Sequence, residues 1–160
     1  MSKDTKSQMQ SMNEPVDLFT IGFTKKNAEQ FFEILIKADV KCVIDTRLNN
    51  VSQLAGFAKQ KDLKYFLFKL GGIEYIHLLD LAPTKDILDD YKNKRISWKD
   101  YEEKFNALIT ERKIEKKVSL KLLDSGCLLC SEAKPHYCHR RLVAEYLQQR
   151  LDTAIKVHHL

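Results

Sequence analysis

Short apolar runs alternate along this chain with longer segments of helical periodicity, and this alternation limits the possible folds more than any other feature. The runs comprise residues 16–21, 41–45, 75–78, 127–130 and 155–158. Mostly apolar runs of this length are typical of strands that are covered on both faces. Because strands that alternate with helices form parallel sheets, the sequence predicts an α/β fold: a single three-layer domain with a mostly parallel, Rossmann-like sheet of about five strands flanked by helices.

Local signals place helices between these runs. Ser97 and Asp100 form a capping box, Pro83-Thr84 marks another helix start, and Gly71-Gly72 ends an earlier helix. A final helix is predicted over residues 136–151. The apolar stripes of the other helices contain Phe31, Phe32, Leu35 and Ala38, then Leu63, Phe66, Leu67 and Leu70, then Trp98, Tyr101, Phe105 and Leu108. We interpret the last of these stripes, which is largely aromatic, as core packing rather than as a ligand platform.

Length and composition are those of one compact domain. The chain has 160 residues, of which 44% are hydrophobic, so it can bury a core without disulfides or metals. Residues 1–14 are polar and mixed in charge and are interpreted as a flexible leader, and residues 15–160 as the single α/β domain. No apolar run approaches the roughly 18 to 20 residues that span a bilayer. We therefore expect a cytoplasmic protein that does not enter a membrane.

Charge and cysteine usage narrow the chemistry only in part. The net charge of +5 is compatible with an anionic small molecule or a nucleic acid as partner, but also with an ordinary surface. In the cytoplasm all four cysteines are expected to be reduced. Cys42 and Cys127 lie within apolar runs and are interpreted as core residues. Cofactor and oligomeric state stay open.

Reactive side chains concentrate where the fourth apolar run gives way to the last helix. In open α/β sheets the ligand crevice lies beyond the carboxyl ends of the strands, and polar residues follow several of the predicted strands. We therefore expect one site, although its residues lie far apart in sequence. Its candidates are Thr24, Asp45, Arg47, His77, Cys130, Glu132, Cys138, His139 and Arg140.

The periodicity of the last helix indicates which of its residues reach this site. At about 100° per residue, His139 lies in the middle of the apolar, inward-facing arc. Arg140 borders the arc, whereas Arg141 points outward. The free N–H groups of the first helical turn add positive potential for an anion.

One interpretation is a pocket for a phosphate-bearing ligand, either a nucleotide or the end of a nucleic acid. Arg47 and Arg140 are candidates to hold phosphate through forked, charge-assisted hydrogen bonds. Asp45 is a candidate to orient an arginine or a histidine. Thr24 and Cys138 are further candidate contacts with the ligand.

The same interpretation assigns catalytic candidates. Cys130 could attack as a thiolate if neighbouring positive charge stabilises that form. His77 or His139 could act as general acid and base, because a histidine titrates near neutral pH. Glu132 could orient one of them. Whether the protein is an enzyme stays open, because a non-catalytic nucleotide-binding, nucleic-acid-binding or regulatory module fits the same residues.

Metal binding, of zinc or iron, is a further alternative. Cys127, Cys130, Cys138 and His139 are all acceptable ligand types. A four-ligand structural site is disfavoured, since Cys127 begins a short strand and adjacent residues on a helix point about 100° apart. A looser site with Cys130, Cys138 and a histidine stays possible, and we assign no metal ligands at this stage.

The chain resembles the family called domain of unknown function 488. The matching pieces are Thr20-Ile21-Gly22, Asp45-Thr46-Arg47, Tyr75-Ile76-His77-Leu78, Leu81-Ala82-Pro83-Thr84-Lys85, Leu128-Leu129-Cys130-Ser131-Glu132 and Cys138-His139-Arg140-Arg141. The resemblance implies a single α/β domain over about residues 16–158 and no established reaction. Family members often have His-Ser after the first of these pieces, whereas this chain has Phe23 and Thr24. The resemblance therefore leaves only the hydroxyl of Thr24 for a role there.

Overall fold

The computed structural model describes residues 14–51 and 55–160, and its centre is a five-stranded parallel sheet. The strands are β1 (Val16–Gly22), β2 (Cys42–Asp45), β3 (Glu74–His77), β4 (Gly126–Cys130) and β5 (Ile155–His159). Their order across the sheet is β3-β2-β4-β1-β5, and every neighbouring pair is parallel. The predicted α/β class and parallel five-stranded sheet are confirmed.

Six α-helices are found in the described residues, and their ends follow the local sequence. They are α1 (Ala28–Lys37), α2 (Gln60–Gly71), α3 (Lys85–Lys92), α4 (Trp98–Arg112), α5 (Leu120–Leu123) and α6 (His139–Arg150). The predicted capping box of Ser97 with Asp100 starts α4, and Thr84 caps α3. Gly72 ends α2 in the left-handed conformation, with φ of 61°. Side-chain capping and glycine chemistry thus act here as the sequence indicates.

Helices cover both faces of the sheet, which creates two separate apolar layers. On one face, Phe105 of α4 and Leu147 of α6 pack against Ile44 and Leu128 of the sheet. On the other face, helices α1 and α2 pack against the alternate strand residues, such as Leu129. Every residue of β4 is buried because this central strand is covered on both sides. The three-layer arrangement is therefore confirmed.

The structure also departs from the sequence pattern. Helix α6 begins at His139 rather than at residue 136, because Cys138 has extended backbone angles and its N–H donates to the carbonyl oxygen of Pro135 in a turn before the helix. In α2 only Leu63 and Leu67 are buried, whereas Phe66 and Leu70 are 36% and 56% exposed. The proposed leader lies outside the described residues apart from Glu14.

Within residues 14–51 and 55–160, none of the helices has the length and apolar character needed to cross a bilayer.

Gly22 ends β1 at a point where two backbone segments nearly touch. A Cβ atom built on Gly22 lies 1.6 Å from the carbonyl oxygen of Glu132 and 2.9 Å from Nη1 of Arg140. No side chain fits there unless the loop after β4 moves. The glycine is therefore required by close packing, which brings this loop against the end of β1.

We expect Gly22→Ala to destabilise the protein by about 1–3 kcal/mol or more, because the new methyl group displaces backbone rather than a flexible side chain. Urea unfolding at neutral pH measures the change. Gly56→Ala is the matched control, since a Cβ at Gly56 meets no atom of the described residues within 4 Å. Equal stability of the two variants would contradict this account of Gly22.

Candidate functional site

A cavity of about 300 Å³ lies at the carboxyl ends of the strands. We call it the main cavity because most of the predicted site residues that line a cavity line this one, not because of its size. Arg47 follows β2, Cys130 ends β4, and Cys138 with His139 opens α6, and all four line this cavity. They lie up to 92 residues apart in sequence, from Arg47 to His139, and meet because parallel strands end at the same edge of a sheet. The predicted gathering of these residues is thus observed.

Arg47 is held in place by Asp45 through a two-pronged ion pair. Nε of Arg47 donates to one carboxylate oxygen at 2.9 Å and Nη2 donates to the other at 2.8 Å. The side chains are 3% and 0% exposed, so water scarcely screens the pair. Asp45 therefore orients an arginine, one of the roles considered for it.

Further donors converge on the same carboxylate. The hydroxyl of Tyr75 donates to Asp45 at 2.6 Å, and Asn50 lies 3.4 Å away. Burial acts to raise the pKa of Asp45, but the hydrogen bonds and charge of Arg47, together with Tyr75, outweigh it and hold that pKa below its ordinary value. Asp45 is therefore a carboxylate at neutral pH, and it raises the pKa of Tyr75 together with burial. Neither Tyr75 nor Asn50 is predicted as a site residue by the sequence.

One end of the Arg47 guanidinium makes no hydrogen bond to the part of the chain that the structure describes. Its Nη1 is buried and has no hydrogen-bond partner among the described residues. Phe23, in the place where family members often have a histidine, packs on the guanidinium with 5.4 Å from Cζ to the ring centroid. A buried charged N–H without an acceptor is costly, and this one belongs to a side chain that lines the cavity.

His139 is fixed by the backbone that follows β2. Its Nε2 lies 2.8 Å from the carbonyl oxygen of Thr46, so Nε2 carries the proton and donates it. The ring also packs against Phe105, with centroids 5.5 Å apart. Burial lowers the pKa of His139 to about 4, because its effect, to which the charge of Arg140 adds, outweighs the Thr46 hydrogen bond and the charge of Asp45, which act to raise that pKa. The imidazole is therefore neutral at pH 7 and has a lone pair on Nδ1.

The cysteines divide into two groups. Cys42 and Cys127 are free and buried, as predicted, and burial raises the pKa of the Cys42 thiol to about 11. Cys130 and Cys138 are joined by a disulfide, with Cα atoms 7.4 Å apart. The expectation of four reduced cysteines is therefore wrong at this pair, because the turn between β4 and α6 brings the two sulfurs together. A ring nitrogen of His139 lies within 4.8 Å of both sulfurs.

Arg140 lies behind the cavity rather than in it. Its side chain is fully buried, and its Nη1 donates to Sγ of Cys130 at 3.2 Å and to the carbonyl oxygen of Glu132. Its Nε donates to the hydroxyl of Thr20 at 3.2 Å. Burial lowers the pKa of Arg140 to about 10, so it stays charged at neutral pH. Among the described residues no carboxylate forms an ion pair with it.

Three other candidates occupy the edges of the site. His77 contacts the backbone of Arg47: its Nε2 donates to the carbonyl oxygen of Arg47 at 2.7 Å. Glu132 is exposed and lines both the main cavity and a second one of about 460 Å³. Thr24 lines the second cavity only and donates to the carbonyl oxygen of Ser131. Arg141, predicted to face outward, pairs with Glu102 and Glu145 at the surface.

Sequence reasoning missed the aromatic wall of the main cavity. Tyr91 of α3, Trp98 and Tyr101 of α4, and Tyr137 of the loop before α6 all line it. Trp98 stacks on Tyr101 at 5.0 Å and meets Tyr91 and Tyr137 edge-on, each at 5.5 Å. The stripe of α4 does pack in the core, but its first turn also faces the cavity. Helical periodicity identifies the residues that face inward, but it does not distinguish those that pack in the core from those that line a cavity.

A comparison against protein families identifies the family of this chain. Residues 27–147 match the family described as domain of unknown function DUF488. The chain belongs to this family. No curated protein and no solved structure matches it. Every residue that lines the main cavity of this DUF488 protein lies within the matched segment, whereas Thr24 lies outside it.

We expect Asp45→Asn to destabilise this DUF488 protein by about 3–5 kcal/mol at neutral pH, because it leaves the buried charge of Arg47 unpaired. Because the folded protein lowers the pKa of Asp45, its carboxylate stabilises the fold above the ordinary carboxyl pKa of about 4 and loses this effect as the pH falls through the folded-state pKa. The gap between wild type and variant should therefore narrow in acid.

Urea unfolding across this pH range measures the gap. Asp39→Asn is the control, because Asp39 pairs with Lys41 at the surface and its side chain is 81% exposed. Its loss should cost no more than about 1 kcal/mol. A gap for Asp45→Asn that does not change with pH would refute the assignment.

Proposed function

We propose that this protein is an enzyme whose main cavity binds a ligand with an anionic group and an aromatic ring, such as a nucleotide or the end of a nucleic acid. The observation that carries the proposal is Nη1 of Arg47, a buried donor that has no hydrogen-bond partner in residues 14–51 and 55–160 and belongs to a side chain lining an aromatic-walled cavity. A phosphate oxygen is an acceptor that suits it.

The anionic part of the ligand is expected at the floor of the cavity. Asp45 and the carbonyl contact from His77 hold Arg47 rigid, so little side-chain entropy is lost when an anion binds. Helix α6 begins at the same cavity as Arg47, and Cys138, its N-cap residue, makes no side-chain capping bond. The first-turn N–H groups thus support the same charge preference. Lys92 adds a positive charge to the lining.

The ring of the ligand is expected against the aromatic wall. Trp98 is only partly buried, and Tyr137 is 64% exposed, so both keep ring surface for a flat group. Stacking of a base on such side chains contributes about 1–3 kcal/mol per base and tolerates any base. The wall therefore favours a nucleotide-like ligand over inorganic phosphate, without selecting among bases.

The catalytic part of the proposal rests on Cys130, Cys138 and His139, which line the same cavity as Arg47. The neutral imidazole and the sulfur atoms are the reactive groups closest together there. Glu132 is a further acid at the rim, and Arg140 is assigned a positioning role behind Cys130. Turnover of a bound nucleotide separates this proposal from a module that binds and does not react.

Trp98 gives a direct test, because it is the only tryptophan of the chain. We expect purine and pyrimidine nucleotides to quench its fluorescence saturably, and inorganic phosphate to compete. Tyr137→Ala should weaken binding about 5- to 150-fold, which corresponds to roughly 1–3 kcal/mol of stacking. Tyr65→Ala is the matched control: this tyrosine of α2 is also largely exposed, at 58%, and does not line the cavity.

Arg47→Lys tests the anion contact in the same titration. Lysine keeps the positive charge but has a single ammonium group in place of the planar guanidinium. It cannot pair with Asp45 through two donors and still offer a third donor to a ligand, so nucleotide binding should weaken. Circular dichroism confirms that the variant folds. Absence of nucleotide quenching in the wild type, or quenching equally strong in Tyr137→Ala, would refute the proposed function.

A further inference from the structure

We propose that Cys130, Cys138 and His139, with both thiols reduced, bind one zinc ion whose fourth coordination position opens into the main cavity. This site goes beyond the proposed function and does not depend on nucleotide binding. It is built from three side chains that contact the same space at the end of β4 and the start of α6. One potential ligand atom of each lies within 4.8 Å of the others.

The histidine is arranged as in known zinc sites. A zinc-bound histidine usually donates its second ring N–H to a backbone carbonyl, which fixes the ring and its tautomer. In this structure Nε2 of His139 donates to the carbonyl of Thr46 at 2.8 Å, and the hydroxyl of Thr46 in turn donates to the carbonyl of Leu129. The Nδ1 lone pair is thereby left for a metal ion.

The backbone positions of the two cysteines suit a shared ion. Their Cα atoms are 7.4 Å apart, outside the roughly 4.4–6.8 Å of most disulfides. In a tetrahedral site with Zn–S bonds of about 2.3 Å, the two sulfurs lie about 3.8 Å apart. This is farther apart than in a disulfide, so two cysteines that share an ion accommodate the observed Cα separation. Reduction of the pair therefore produces two ligands that need no large backbone movement.

The surrounding charge favours thiolates. Arg140 is fully buried without a carboxylate ion pair among residues 14–51 and 55–160, and its Nη1 reaches Sγ of Cys130 at 3.2 Å. A thiolate at Cys130 gives this guanidinium a counter-charge, and an N–H donor to a metal-bound sulfur is a common outer contact. Two thiolates neutralise one Zn²⁺, so the site adds no net charge beside Arg140.

The ligand set indicates an open site. Two cysteines and one histidine leave one tetrahedral position, as in catalytic zinc sites with a bound water or substrate. All three residues line the cavity that contains Arg47, so the open position faces the region where we expect an anion. Cys127 is not a ligand in this site, because its side chain packs in the opposite apolar layer with Leu129.

Cobalt binding to the full chain tests the proposal. The protein is reduced with a non-chelating phosphine, freed of metal and titrated with Co²⁺. We expect one Co²⁺ per chain, with intense thiolate charge-transfer bands and the d–d bands of a tetrahedral ion, both displaced by Zn²⁺. Cys138→Ser should lose these bands while remaining folded, because serine is a favoured N-cap residue. Cys42→Ser, a buried cysteine outside the site, should keep them.

Failure of the metal site is distinguishable from failure of the nucleotide pocket. Nucleotide quenching of Trp98 is measured on the metal-free protein and again after zinc is added. Quenching without metal, combined with no tetrahedral cobalt spectrum in reduced wild-type protein, overturns the zinc site alone. An octahedral spectrum, or bands equally strong in Cys138→Ser, overturns it as well. A tetrahedral, thiolate-bound spectrum in a protein that binds no nucleotide supports the zinc site and refutes only the pocket.

Discussion

The guanidinium of Arg140 ties together the elements that form the site. It belongs to α6, contacts β1 through Thr20, contacts the end of β4 through Cys130 and donates to the carbonyl oxygen of Glu132 in the loop between β4 and α6. Because it is fully buried, each donor that lost its acceptor would be costly. The loop is therefore held against the sheet, and this places Cys138 and His139 opposite Arg47.

Gly22 is the second part of this constraint. The carbonyl oxygen that Arg140 contacts in the loop lies where the Cβ of any other residue at position 22 would be. Close backbone approach and a buried donor thus act on the same carbonyl group. This explains on physical grounds why a lone glycine at the end of β1 influences a site more than 100 residues further along the chain, at Glu132.

The two arginines that the sequence singles out have different surroundings and, in our proposals, different roles. Arg47 has a carboxylate partner and a spare donor beside the cavity, whereas Arg140 has carbonyl, hydroxyl and sulfur acceptors and no carboxylate ion pair among the described residues. The first is suited to hold an external anion, because its own charge is fixed and partly unused. The second is suited to stabilise negative charge on sulfur. In the reduced protein that we propose, one pocket therefore combines anion binding with thiolate ligands.

The sequence by itself determined the fold class, the order of the strands along the chain, several helix ends and the end of the sheet at which the cavity lies. These features depend on short-range physics: apolar periodicity, capping side chains and the rule that parallel strands end together. The tertiary structure alone decided that Arg140 is buried behind the cavity, that Tyr75 and Asn50 support Asp45, and that Trp98 faces a cavity. Such contacts join residues that are far apart in sequence; Thr20 and Arg140, for example, are 120 positions apart. They depend on the order of the strands in the sheet and on donor–acceptor distances near 3 Å. Periodicity along the chain contains no information on distances of that kind.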